Sequence, residues 1–363
     1  MTFTSVLRRA LPLGIAGAAV AACDLADFVN DPKPIFEQTW NLPAPSTSVS
    51  VASLLPPGQV TILPDSSAFS VSMSGAAINA RVGDHCAACE ALNGTNAPKP
   101  QFNFTVANST ALPTDIVSAA VTGGQVDVQV TNNMSFDPIF VNTAPGATTQ
   151  GFMAITVRSG SLVLGVDTVK GEVTPWPSGS VLDRVINFTT GVVTGTITVD
   201  VTVNSPLGDH NEFINANGTL NATASVPTLN VASVSMNVPT RTLDSQGDSL
   251  DLSEMDEAIT DHVVAGELRM TITNPFPVSG NVFALFQYGP NPNDTLLRSF
   301  TLPSGAPAVA SVSLDSLAMS RLFGNQIAME IGGTVSSTSP ITVTPTQAIT
   351  MDNRLVLTIR TGK

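Results

Sequence analysis

From residue 48 onward, apolar and small polar residues alternate along most of the chain. Ser48-Val49-Ser50-Val51, Val60-Thr61-Ile62-Leu63, Phe69-Ser70-Val71-Ser72-Met73 and Phe102-Asn103-Phe104-Thr105-Val106 switch faces at each residue. That is the period of a strand with one face buried. Ala154-Ile155-Thr156-Val157, Leu162-Val163-Leu164, Ile341-Thr342-Val343-Thr344 and Leu355-Val356-Leu357-Thr358-Ile359 carry strands to the C-terminus. Helical spacing is expected in two places. Ser253 caps a segment with Glu254, Asp256 and Glu257 in its first turn and Met255, Ile259 and Val263 on one face, as far as about Val264. Asp315 caps Ser316 to Phe323, with Gly324 as a left-handed stop. The pattern predicts an all-β protein of tandem or repeated antiparallel β-sandwich modules, with one or two short helices covering sheet edges or ends.

Three strands align with one another. Gly124-Gln-Val126-Asp-Val128-Gln-Val130-Thr131, Gly195-Thr-Ile197-Thr-Val199-Asp-Val201-Thr202 and Gly266-Glu-Leu268-Arg-Met270-Thr-Ile272-Thr273 share register, a starting glycine and a terminal threonine. Their glycines stand 71 residues apart in each step (195 − 124 and 266 − 195), and each strand runs into an Asn turn at Asn132, Asn204 or Asn274. A repeat of this length suits a small β-domain or half-sandwich. Thr271-Ile272-Thr273-Asn274-Pro275-Phe276-Pro277-Val278 resembles the strand-turn of the WHy, or LEA-2, family of β-sandwiches. The stretch Val128 to Asp137 keeps the strand and Asn132 but has no proline directly after it. The resemblance implies a seven-stranded sandwich with a binding or stabilising role and supplies no catalytic residues.

The N-terminus departs from alternation. Arg8 and Arg9 precede an uncharged apolar run from Ala10 to Ala22, too short for a spanning helix, which needs about 17–25 residues, but suited to an export signal. The run ends in Val20-Ala21-Ala22-Cys23, which resembles the lipobox of bacterial lipoproteins. The resemblance implies cleavage before Cys23, diacylglycerol on its thiol and acylation of the new amine. Two or three acyl chains would give a lasting anchor. Asp24 bears on which membrane retains such a protein by a rule that differs between lineages, so inner and outer membrane stay open. The expected organisation is a signal over 1–22, a lipidated, proline-containing tether over 23–48, a first β region over 49–120, a second over 121–240, and a C-terminal β domain with the short helices over 241–363.

Charge narrows the partners. The chain has 15 basic and 28 acidic residues, and loss of Arg8 and Arg9 would leave 13 against 28, a net −15. Such a surface repels phosphate backbones, so no nucleic-acid role is expected. Low charge content with many β-branched residues, 26 Pro and 27 Gly fits many short strands joined by turns rather than disorder.

The sharpest candidate chemistry is Asp84-His85-Cys86-Ala87-Ala88-Cys89-Glu90. With Cys23 lipidated, Cys86 and Cys89 are the remaining thiols, and in an exported protein a disulfide between them is the leading expectation. A redox-active pair and a metal site with His85 are the alternatives. The first lacks a thioredoxin-like context, and the second lacks a fourth ligand for zinc. Asp244, Asp248 and Asp251, with Glu254 and Asp256 beyond, are candidate Ca2+ ligands on a Gly-bearing loop, or simply a solvated acidic loop. Gly-x-Ser-x-Gly, His-Glu-x-x-His and the P-loop do not occur. The leading expectation is therefore a non-enzymatic envelope lipoprotein, tethered to a membrane and binding an envelope protein or lipid partner or supporting structure, with no cofactor besides its covalent lipid. The alternatives are a carrier of lipid or another apolar ligand and, further off, a hydrolase with a scattered site.

Overall fold

A computed structural model describes residues 35–140, 150–244, 247–305 and 307–361. The signal and Cys23 lie outside the described residues. Elements begin with β1 (Phe36–Pro43) and β2 (Thr47–Ser50), then a 3-10 turn at Val51–Leu54. Next come β3 (Val60–Ile62), β4 (Phe69–Val71), β5 (Ala76–Arg81), helices α1 (Val82–His85) and α2 (Ala87–Ala91), and β6 (Thr95–Pro98). Longer strands follow: β7 (Phe102–Ala111), β8 (Ile116–Asn133), β9 (Phe152–Ser159) and β10 (Leu162–Lys170). β11 (Val181–Asn187), β12 (Gly191–Thr194), β13 (Thr196–Ser205), β14 (Asn211–Ile214) and β15 (Thr219–Met236) complete the first half. The second half holds β16 (Arg241–Asp244), β17 (Asp248–Asp251), α3 (Glu257–Thr260), β18 (Val263–Thr273), β19 (Ser279–Gln287) and β20 (Thr295–Leu302). It ends with β21 (Ala308–Asp315), α4 (Ser316–Leu322), β22 (Gln326–Ser336), β23 (Ile341–Val343) and β24 (Ala348–Thr361).

The chain is all-β, with four larger sheets that form two sandwiches and a separate two-stranded sheet of β6 and β14. In the first, a sheet ordered β11-β8-β15-β4-β3, with β12 on β8 and both β5 and β23 on β15, faces a sheet ordered β10-β9-β13-β7. In the second, β1-β24-β18-β21, with β2 on β24, faces β16-β22-β19-β20, with β17 on β22. All the pairings are antiparallel, for example β8 with β15 and β18 with β24. Alternation sorts the side chains. Val126, Val128 and Val130 of β8, Met153, Ile155 and Val157 of β9, and Val199, Val201 and Val203 of β13 are all buried. Leu268, Met270 and Ile272 of β18 are buried in the same way.

The two sandwiches follow one connectivity. Replacing β8, β9, β10, β11, β13 and β15 by β18, β19, β20, β21, β22 and β24 reproduces the pairings among them. The corners after β8 and β18 also coincide. Asn132 is fully buried, accepts from the Met134 amide at 2.9 Å, and donates to the carbonyls of Phe136 at 2.9 Å and Trp176 at 2.8 Å. Buried Asn274 accepts from the Phe276 amide at 3.0 Å and donates to the carbonyls of Val278 at 3.1 Å and Pro303 at 2.9 Å. In each case a side-chain amide stands in for the backbone partner that the turn removes.

Several expectations need correction. The middle aligned strand, after Gly195, is β13, which lies in the opposite sheet and corresponds to β22; the Asn204 amide donates to the Gln150 carbonyl at 3.3 Å and its Oδ1 accepts from the Asn103 amide at 3.5 Å. Residues 36–43, expected in the tether, form β1 and pair with β24 from Phe36↔Thr361 to Pro43↔Arg354. A boundary at 120/121 would cut β8, and β2, expected partly in the first β region, also pairs with β24. The helix expected as far as Val264 is the single turn α3, because Val263 already belongs to β18. Asp315 does cap α4, accepting from the Ala318 amide at 2.7 Å.

Candidate functional site

The outer face of the first sandwich carries an open cleft of about 800 Å3 across β11, β8, β15 and β5, within the size range of ligand sites. Its floor is the polar half of the β8 alternation: Gln125, Asp127 and Gln129 point away from the valines between them. Register sets Val185 beside Asp127 and Asp183 beside Gln129 on one side, and Ser225 and Thr223 beside the same pair on the other. Ala76 and Ala77 of β5 form the far wall.

The polar groups are pre-arranged. The Gln125 amide donates to Asp127 Oδ1 at 3.0 Å, and the Gln129 amide donates to Asp183 Oδ1 at 2.9 Å. Arg184, the strand neighbour of Asp183, pairs with Asp167 of β10, and that partner holds its guanidinium more firmly protonated than usual. The positive charge of Arg184 is thus committed to β10, and the cleft is left rich in hydrogen-bond acceptors. Gly124 lets the β8 backbone enter the cleft floor in this way. Its φ is +124°, and a Cβ there would sit 2.4 Å from the Thr228 carbonyl oxygen. The β8–β15 ladder shifts register beside it, between Ser225 and Thr228.

A second cluster lies at one end of the same sandwich. The Lys99 ammonium is buried and donates to Ser205 Oγ at 2.8 Å and to the Pro138 carbonyl at 3.3 Å. Burial lowers its pKa to about 8, against the pull of Glu212, Asp137 and Asp209. Burial also pushes the Glu212 carboxyl above its usual range. His210 bridges Asp209 at 2.7 Å and Glu212 at 3.0 Å, and the Asp209 bond chiefly raises its pKa. A lysine on a serine hydroxyl is a possible nucleophilic pair. Here both residues have no solvent exposure, so an incoming carbonyl has no route to Ser205.

The residues singled out in the sequence are dispersed. Cys86 and Cys89 are joined in a disulfide, with Cys89 fully buried in the first core. They stand at the start of the short helix α2, which follows helix α1 rather than a strand, inside a sandwich end where Val82 and Gly83 bond the carbonyls of Gly218 and Ala216. His85 stacks on Phe104 at 4.7 Å. Asp244 and Asp248 belong to edge strands β16 and β17. One carboxylate oxygen of Asp251 accepts from both the amide and the hydroxyl of Ser253. Among the described residues, no group of three or more His, Cys, Asp or Glu is placed to hold a metal ion. No described helix is long and apolar enough to cross a membrane.

Sequence reasoning passed over the cleft, although its signal was legible. Gln125, Asp127 and Gln129 put two amides and a carboxylate on one face of β8. Lys99, between two prolines, reads as an ordinary turn lysine, and nothing local marks it as buried.

No family model and no curated protein matches the chain. Solved structures resemble it only distantly. A "putative secreted protein" from Parabacteroides distasonis is 9% identical over 88% of this chain and 99% of its own, with a TM-score of 0.31. PNGase F, a glycosylasparaginase from Flavobacterium meningosepticum, is 10% identical over 79% and 99%, at 0.19. The N-terminal CBM22 tandem of Paenibacillus barcinonensis Xyn10C is 8% identical over 85% and 96%, at 0.18. Scores this low carry no argument about activity.

Proposed function

We propose that the protein is a lipid-anchored envelope protein with a non-enzymatic binding role, and that the cleft across β11, β8, β15 and β5 is its ligand site. The lipobox at Cys23 supports the anchor. The cleft carries the binding reading. Asp127 and Asp183 each spend one oxygen on a glutamine amide and keep the other for a ligand, while Val185, Ala76 and Ala77 offer apolar contact. A ligand for such a surface must donate hydrogen bonds and must be neutral or positive. That describes a hydroxyl- and amine-bearing glycan better than an anionic one.

The resemblance of the Asn274 turn to WHy, or LEA-2, sandwiches points in the same direction, toward binding rather than catalysis. A carrier of apolar ligands fits less well. Both sandwich interiors are filled by side chains such as Phe69, Trp176, Phe276 and Phe286, and the cleft is open to solvent, with Gln125, Asp127 and Gln129 among its lining residues.

The test is binding of chitosan oligosaccharide and of dextran sulfate to the protein and to its Asp127→Ala/Asp183→Ala variant, measured by calorimetry. The expected result is binding of the amine-bearing glycan alone, weakened at least about tenfold in the variant, since hydrogen bonds to charged groups contribute roughly 1.5–3 kcal/mol. Equal binding by both proteins would remove the cleft from the account.

A further inference from the structure

Strand β1 buries neither of its faces. From Phe36 to Asn41 each residue is exposed, and only Leu42 is half-buried. Among these residues and the one before them stand three large apolar side chains: Ile35 at 62% exposure, Phe36 at 60% and Trp40 at 40%. Register explains the arrangement. Trp40 pairs with Leu357 and Leu42 with Leu355, both buried in the second core. Phe36 and Trp40 therefore continue the core-facing side of that sheet past the point where anything among the described residues covers it. β1 is also the end strand of its sheet. Edge strands are normally blunted with charge or covered, and an exposed apolar edge marks a contact surface. The one acidic residue of β1, Glu37, is paired with Arg360 at 2.5 Å, so no net charge guards the lip.

We propose that this lip, Ile35, Phe36 and Trp40, rests in the interface of the membrane that holds the acylated Cys23. The inference depends on the lipoprotein reading. Eleven residues, 24–34, lie between Cys23 and Ile35, and the twelve chain steps they span reach at most about 40 Å. Anchoring thus keeps the lip at high local concentration beside the bilayer, so a weak contact suffices. An indole at one strand edge is what interfacial depth favours, its ring inward and its N–H toward water, and the phenyl ring beside it adds apolar area. A net −15 mature chain excludes attraction to anionic headgroups as the driving force, which leaves apolar insertion into a zwitterionic surface.

The chain contains two tryptophans, and Trp176 is fully buried, so Trp40 reports on the lip. The experiment places the full-length acylated protein in phosphatidylcholine vesicles with and without dibrominated acyl chains and compares it with Trp40→Phe. The acyl mass is checked on the same sample. Expected is a loss of tryptophan emission in brominated vesicles that disappears in Trp40→Phe. Unchanged emission from a protein whose mass includes acyl chains would overturn the membrane contact and leave the lipoprotein reading standing. Concentration-dependent association in that case would identify a second copy as the occupant. A mass without acyl chains would overturn both.

Discussion

Lys99 shows how one residue ties the stability of the first sandwich to pH. Its folded pKa is about 8, below the ordinary 10.5, because burial penalises the ammonium. Below pH 8 both folded and unfolded chains hold the proton, and the cost of burying the charge is present in full. Between pH 8 and 10.5 the folded chain releases its proton first, so the unfolded state binds more protons and stability rises with pH. The full span, 10.5 − 8, corresponds to about 3 kcal/mol. Urea unfolding of wild type and Lys99→Met at pH 7 and pH 10.5 isolates the effect: the wild type should gain about that much relative to the variant. A constant difference across the range would show that Lys99 does not carry a perturbed charge. The residue scale is also where the aligned strands mislead. Their shared glycines have three unrelated causes. Gly124 meets the Thr228 carbonyl across a ladder, Gly195 turns with φ +67°, and Gly266 makes room for Met319, whose sulfur would lie 2.4 Å from a Cβ. A sequence shows that glycine is present and hides which of these reasons put it there.

At the scale of elements, the corners at Asn132 and Asn274 do equivalent work. Each satisfies two buried carbonyls and one amide with a single side chain, and Ala at either position would strand all three. A loss of about 3 kcal/mol is expected for Asn132→Ala or Asn274→Ala, from a desolvation cost of roughly 1–3 kcal/mol for each buried group left unpaired. Asn204→Ala, which loses two long, exposed bonds, to the Gln150 carbonyl at 3.3 Å and from the Asn103 amide at 3.5 Å, should change stability by less than about 1 kcal/mol. Denaturant midpoints decide it, and equal losses at all three positions would contradict the assignment. Long strands with one buried face, such as β7, β13 and β18, were legible because burial imposes period 2 on their residues. β1 was not, because it buries neither face and its residues Phe36-Glu37-Gln38-Thr39-Trp40 carry no such pattern. The boundary expected at 120/121 falls inside β8, a single 18-residue strand whose irregular middle at Gly123-Gly124 stays paired with β15. α1 and α2 were invisible for another reason. Each is about one turn long, and they are held by the Cys86–Cys89 bridge and by bonds to the Ala216–Gly218 loop rather than by an amphipathic stripe.

For the whole molecule, two sandwiches of one connectivity follow one another along the chain, and the strands nearest the N-terminus, β1 and β2, complete the second of them. Strand β1 and the C-terminal strand are thereby joined: β24 binds β1 along eight consecutive pairs. Fold class was legible in the sequence because alternation sums over many strands. The cleft was half legible, since Gln125, Asp127 and Gln129 lie on β8 but Asp183 and the walls come from β11, β15 and β5, whose neighbourhood only the topology creates. The central claim is that this chain is held at a membrane by lipid on Cys23. It is tested most directly by the intact mass of protein extracted from membranes, before and after reduction. The expected mass is that of the chain starting at Cys23 plus two or three acyl chains, with a gain of about 2 Da when the Cys86–Cys89 bridge opens. An uncleaved chain, or a cleaved one without lipid, would contradict it.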